Sequence, residues 1–319
     1  MLARYLGPGL VLLFAVSQAF RDVYLAHVFQ GIDLFAVVLL AFSISALGFG
    51  TIALLRAPHE FATMRTEWRA MLWMNVTTAL AWLCYFYSLK HLQPSIVNTL
   101  HSGIGPLTVI ALSALGWHIT KPNPVRRAEY VCYAGLAGSL AFLWWVVLAG
   151  HSGLNVTDLA VNLTALALLI VSGSCITISL LLCKRINERG VGSDSVTAGR
   201  YILIILVALA AVLLGDSRTG IASLNEWIIL AVAATVLIVL PLYSLQVGIA
   251  RTAPLTAHVI RSLGPVCVFA LELVDARIAY SDLTLLGIAL YSVFSIAGNL
   301  VRGWSDGQEP HIVQRVSTA

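Results

Sequence analysis

The sequence predicts an all-α polytopic membrane protein: ten transmembrane helices arranged as two inverted five-helix repeats, with both termini cytoplasmic. Three observations predict it, namely the composition, the spacing of the apolar runs and an internal repeat. Of 319 residues, 59% are hydrophobic and only 11% charged, and the mean hydropathy is +0.89. A soluble domain carries ~25% charged residues, so a soluble globular fold is excluded. Disordered, collagen-like and disulfide-stapled secreted chains need compositions that are absent here. A spanning helix uses ~20 apolar residues, so the chain holds roughly ten spans with no room for a soluble catalytic module.

Apolar runs read against their polar breaks place the spans in order. The first two are 5–28, apolar apart from Arg21 and Asp22, and 33–55, which stops at Arg56. The third, 69–89, follows the charged stretch of Arg65 and Arg69, and the fourth, 94–117, opens on Pro94. Lys121-Pro-Asn-Pro separates it from 127–148. Span 159–183 closes on Lys184-Arg185, and Glu188-Arg-Gly-Val-Gly-Ser-Asp194 breaks the chain before 195–214. Spans 226–249, 254–275 (opening on Pro254) and 280–301 complete the set. The predicted units are residues 1–150, residues 151–303 and a cytoplasmic tail, 304–319.

Lys and Arg then orient the bundle, since cationic loops stay in the cytoplasm. One side collects Arg4, Arg56, Arg65, Arg69, Lys121, Arg126, Arg127, Lys184, Arg185, Arg189, Arg251, Arg302 and Arg315, and the other only Lys90, Arg218 and Arg277. This asymmetry accounts for the net charge of +4. No basic cluster exceeds two residues, so nucleic-acid binding is not expected. Cys84, Cys132, Cys175, Cys183 and Cys267 lie in or at the ends of apolar runs without a CxxC pair, and read as buried small hydrophobes. A cleaved signal peptide is not expected, because no small-residue cleavage site follows the first apolar stretch. Arg21, Arg200 and Arg261 remain inside spans.

The chain repeats itself. Tyr87-Ser-Leu, Pro94, Asn98, His101-Ser102 and Gly105-Pro106 are echoed by Tyr243-Ser-Leu, Pro254, His258, Arg261-Ser262 and Gly264-Pro265. Ala134-Gly-Leu-Ala-Gly-Ser139 likewise corresponds to Leu286-Gly-Ile-Ala-Leu-Tyr-Ser292. A five-helix unit used twice must enter the membrane from opposite sides. That symmetry puts a substrate site near the midplane and implies transport by alternating access.

These paired elements, with the Gly-rich starts of the fifth and tenth spans and Leu180-Leu-Leu-Cys-Lys-Arg185, resemble the drug/metabolite transporter superfamily, in its EamA-like ten-helix branch. The resemblance spans nearly the whole chain on short, degenerate motifs. It implies a secondary transporter of the bacterial inner membrane. The general shape is most similar to bacterial exporters of amino acids, aromatic ones included, and of related metabolites. Arg21-Asp22 departs from that pattern, as many relatives carry apolar or small residues there. The C-terminus also lacks the dibasic ending typical of many nucleotide-sugar carriers.

Candidate site residues follow from helical spacing. Asn98, His101, Ser102 and Gly105 share one face of the fourth span, and His258, Arg261, Ser262 and Pro265 one face of the ninth. A polar side chain facing lipid costs several kcal/mol, so both stripes should face the interior, opposite each other. Arg261 would attract a carboxylate while the others supply hydrogen bonds, or the stripes would simply tie helices together. Asn75, Trp82 and Tyr85, with Tyr243 in the second half, would line the cavity. Pro106 and Pro265, each after a glycine, are candidate hinges.

Arg21 and Asp22 are adjacent and point about 100° apart, which favours partners on other helices over a mutual pair. They read as a gate or second anion-attracting charge, or as a snorkelling feature at the outer mouth if the first helix ends early. Arg200 is within snorkelling reach of the cytoplasmic surface or has a gating role. Glu272 is the candidate for proton coupling, or a salt-bridge partner of Arg21 or Arg277.

No phosphate-cradling loop, Gly-x-Ser-x-Gly, metal-spaced carboxylates or His-rich tract occurs, so no cofactor, no metal and no enzymatic activity are expected. The expected partners are a small-molecule solute and the lipid bilayer, with the chain a monomer or weak oligomer. A drug exporter or a nucleotide-sugar or phosphate-ester carrier of the same fold, and outside transport an intramembrane scaffold or enzyme, stay open at this point.

Overall fold

The computed structural model describes residues 2–28, 33–117, 127–154, 158–214, 224–252, 254–276 and 278–306. Every described element is helical: α1 (Leu2–Val28), α2 (Leu34–Arg56), α3 (Glu60–Thr66), α4 (Trp68–His91), α5 (Pro94–Ala114), α6 (Arg127–Leu148), α7 (Leu159–Asn187), α8 (Ser193–Gly199) and α9 (Ile202–Leu214). There follow α10 (Leu224–Ala234), a π-helical turn (Thr235–Val239), α11 (Leu240–Ala250), α12 (Pro254–Ser262), α13 (Gly264–Glu272) and α14 (Asp282–Asp306).

The helix ends follow from local chemistry. Asp33 caps α2 by accepting from the N–H groups of Phe35 and Ala36, and Asp158 does the same for α7 at Ala160 and Val161. Pro94 opens α5, where a missing N–H costs nothing. Beyond α5 and α6, Gly116 and Gly150 take φ of +74° and +70°, left-handed values that glycine alone adopts cheaply.

Eight described stretches are long and apolar enough to cross a membrane: Leu6–His27, Leu34–Arg56, Pro94–Ala114, Arg127–Leu148, Leu159–Asn187, Ser193–Leu214, Asn225–Leu245 and Asp282–Arg302. Large apolar side chains such as Leu13, Leu55, Leu206 and Leu214 are exposed, a surface suited to lipid rather than water. The chain is a multi-pass membrane protein. Two of the ten expected spans fall outside this set. In α4, 24 residues long, Arg69, Asn75, Thr77, Thr78 and Lys90 dilute the apolar run. Residues 254–272 are split at Leu263 into two helices of nine residues each.

The prolines act unequally. Pro265 sits in the first turn of the new helix α13, so the chain does break there. Pro106 lies inside an unbroken α5, and the bend expected at that position is not an interruption of the helix. Pro241 was not singled out from the sequence, yet the π-helical turn ends just before it. A proline ring crowds the carbonyl four residues back, and widening the preceding turn relieves that crowding.

Packing sets the neighbours. The α4 helix lies along α7, α6 along α14, and α1 along α11; α2 runs beside α8 and α9. The α5 helix touches α7 and α13, and α1 touches α12 and α13. Val97, Leu100, Leu143, Leu166 and Leu169 form the buried core between them.

Small residues permit the closest approaches. A methyl group at Gly173 on α7 would lie 2.9 Å from the His101 carbonyl oxygen and 2.8 Å from Ile104 Cβ, both fixed parts of α5. Gly173→Ala should therefore cost about 1–3 kcal/mol through overpacking. Gly48→Ala, where nothing lies within 4 Å, should not. Thermal unfolding of the two variants in detergent checks this; equal melting points would mean that the α5–α7 contact is not tight.

Candidate functional site

The polar side chains of the spans gather where α1, α4, α5 and α7 meet. On α1, Arg21 and Asp22 are both buried, Asp22 completely. Arg21 Nε and Nη2 donate to Asp22 Oδ1 at 2.9 and 2.7 Å. The expectation that these neighbours would look to other helices is corrected: the long arginine stem folds across the 100° between them. The alternative of an early helix end is corrected too, because α1 continues to Val28.

From α5, Asn98 Nδ2 donates to Asp22 Oδ2 at 2.8 Å. The guanidinium lies 5.3 Å from the Trp82 ring centroid and 5.7 Å from that of Tyr85, both on α4. The Tyr85 hydroxyl interacts with Asp22 and Asn98 without reaching good hydrogen-bond geometry. Buried charges need this degree of pairing, since an isolated ion in hydrocarbon is prohibitively costly.

One turn along α5, the half-buried His101 lies edge-on to Tyr85, with ring centroids 4.7 Å apart. Its Nδ1 is 3.0 Å from Ser172 Oγ, and Ser172 donates its single proton to the Ala81 carbonyl at 2.7 Å. Nδ1 must therefore be the donor in that contact. In the neutral ring Nε2 is then a hydrogen-bond acceptor, with no partner among the described residues.

Arg261, at the end of α12, contrasts with Arg21. Its side chain is exposed, and among the described residues it makes no ion pair or hydrogen bond. Yet its charge acts on His101 and on Tyr291, which is only 3% exposed. An exposed charge that acts on groups of α5 and α14 makes Arg261 the candidate for a cation facing the bundle interior.

The other predicted residues fall elsewhere. Asn75 spends its polar atoms on the break between α8 and α9: Nδ2 donates to the carbonyls of Met71 and Gly199, and Oδ1 accepts from Leu203 N–H. It is a helix tie, saturated by backbone, instead of the cavity-lining group expected. Ser262 shares a hydrogen bond of 2.8 Å with Ser295 of α14, while the Tyr291 hydroxyl interacts with Ser102 and Ser295. Asn98 Oδ1 lies toward Gly264, so the two polar stripes meet there, but Ser262 turns to α14. Tyr243 is 47% exposed, and no described ring contact or hydrogen bond ties it to the cluster. Arg200 stands at the α8–α9 break, over the Tyr201 ring at 5.4 Å and 3.4 Å from Ser179 Oγ. The side chain of His258, and Arg277, lie outside the described residues.

Glu272 does not pair with Arg21. One oxygen accepts from Ser95 N–H at 2.6 Å, in the first turn of α5, and the other from Gln93 Nε2 at 2.8 Å. A carboxylate there satisfies donors that the start of a helix leaves open. Gln93 Oε1 in turn accepts from Gly153 N–H and Thr284 Oγ1, joining three interhelical connections at one end of the bundle. Gln93 and Ser172 escaped the sequence reading. The only signals were a glutamine before Pro94 and the Ser-Gly-Ser triplet 172–174 in an apolar run.

Among the described residues no group of three or more His, Cys, Asp or Glu is placed to hold a metal ion. No protein-family model and no curated protein matches the chain. Glu272→Ala should strand the Ser95 N–H and the Gln93 amide in a buried setting, at about 1–3 kcal/mol. A melting temperature in detergent equal to that of the parent protein would count against the capping role.

Proposed function

We propose that the chain is a secondary transporter that exports amino acids, aromatic ones included, or similar small metabolites by alternating access around a midplane site. The membrane in question is the bacterial inner membrane. In this reading the ten helical segments are two inverted five-helix repeats, as in the EamA-like branch of the drug/metabolite transporters.

The neighbour pattern supports the repeat. With the ten segments numbered in order, advancing each by five turns the α4–α7 contact into α11–α1. It likewise turns α5–α7 into α1 with α12 and α13. The pairs α6–α14, α2 with α8 and α9, and α5–α13 map onto themselves. Two halves related in this way can exchange conformations, which opens a central site to either side in turn.

The observation that carries the reading is Arg261. An exposed guanidinium in a membrane bundle that has no ion pair among the described residues, and whose charge acts on an imidazole with an acceptor nitrogen, is incomplete without an anion. A carboxylate answers the guanidinium, a donor on the solute answers His101 Nε2, and an apolar body suits the half-buried ring of Trp82. The Glu272–Gln93 network joins the two halves at one end of the path and fits a closed gate there.

Counterflow in proteoliposomes loaded with a panel of amino acids tests the proposal. The parent protein should show saturable exchange of carboxylate-bearing solutes, reduced at least ~10-fold in Arg261→Ala, the scale of a lost charged hydrogen bond. Absence of exchange across the panel by folded protein would defeat the amino-acid assignment.

A further inference from the structure

Asp22 sits in surroundings built as if for a ligand. Three N–H donors converge on its carboxylate, two from Arg21 at 2.9 and 2.7 Å and one from Asn98 at 2.8 Å. The Tyr85 hydroxyl adjoins it, and the rings of Trp82 and Tyr85 cover the guanidinium. An arginine fork, an amide N–H and an aromatic cover are how proteins hold the carboxylate of a bound solute. Here the occupant belongs to the chain itself.

Charge at the site gives this a consequence. Two arginines act on His101, Arg21 and Arg261. Arg21 is neutralised by Asp22, whereas Arg261 has no anionic partner among the described residues. Glu272, a buried carboxylate on α13, is committed to Gln93 and the start of α5. Among the described residues, one positive charge at the site is left unmatched.

We propose that Asp22 is a resident stand-in for a second cargo carboxylate: it fills a carboxylate nest formed by Arg21, Asn98 and Tyr85, and so limits the transported solute to one carboxylate. The specificity clause rests on the carrier reading above; the nest does not. A solute with one carboxylate satisfies Arg261. A second anionic group finds no unpaired cation at the site among the described residues, because Asp22 already neutralises Arg21, and leaving it unpaired in a low-dielectric medium is costly. Removing the charge of Asp22 unmasks Arg21 and extends the spectrum to solutes with two carboxylates.

Two experiments test this, the first without transport. Asp22→Ala purified in detergent should melt below the parent protein and recover at least half of that loss in acetate or formate at tens of millimolar. Chloride at equal ionic strength should give no recovery. The parent and the double variant Arg21→Ala/Asp22→Ala should not respond. A folded Asp22→Ala that is no more sensitive to formate or acetate than to chloride overturns the nest.

The second experiment uses Asp22→Asn, which keeps the shape and one acceptor and so serves if the alanine variant does not fold. In counterflow the parent should prefer glutamine to glutamate, and Asp22→Asn should shift that ratio toward glutamate at least ~10-fold, about 1.4 kcal/mol. Exchange by both proteins with an unchanged ratio overturns the specificity role while leaving the carrier reading intact. Absence of exchange by the parent protein overturns the carrier reading and the specificity clause with it, and the acetate result still decides whether the nest exists.

Discussion

The hydrocarbon of a bilayer offers no hydrogen-bond partner, so each polar group carried into the spans must be answered from within the chain. Most of the structure can be read as the set of those answers. Asp22 answers Arg21, with Asn98 on its second oxygen. Ser88 and Ser172 donate to the carbonyls of Ala165 and Ala81, each across the α4–α7 interface. Asn75 serves the carbonyl and N–H that the α8–α9 break sets free, which is why that segment can lose helical continuity inside the membrane. Glu272 and Gln93 do the same for the start of α5 and for two further connections.

Against that background an unanswered group is informative. Arg261 is exposed although its charge reaches the buried Tyr291, and His101 has one nitrogen committed through Ser172 and the other without a partner among the described residues. A helix tie of the kind made by Asn75 uses up its polar atoms; Arg261 makes no such bond among the described residues. This contrast separates a candidate binding group from a structural one more sharply than residue type does. Asn75 and Asn98 are the same residue on adjacent helices, yet one is saturated by backbone and the other helps hold a charge.

The segment between Pro254 and Glu272 brings fold and site together. Its division at Leu263 shortens both helices, places Pro265 where a proline belongs, and leaves Arg261 at the end of α12. Glu272, at the other end of α13, reaches across to α5. The same stretch thus carries the candidate binding cation and the carboxylate that fastens one end of the bundle.

Hydropathy, spacing and capping residues determined the helices: the segments from Leu34, Pro94, Arg127 and Leu159 begin within a residue of where the apolar runs and their breaks put them. Those signals are local, set by the thickness of a bilayer and the chemistry of helix ends, so they are legible in one dimension. The sequence also singled out Arg21, Asp22, His101 and Arg261, because charge inside an apolar run is conspicuous. It could not say which of them are satisfied. Pairing depends on the rotation and separation of helices that are far apart in sequence, as with Asn98 and Asp22 or Glu272 and Ser95, and on a flexible arginine stem that overrides the angle between adjacent positions. Tertiary structure alone decided that Asp22 takes the charge of Arg21, that Asn75 is a tie, and that Arg261 has no ion pair among the described residues.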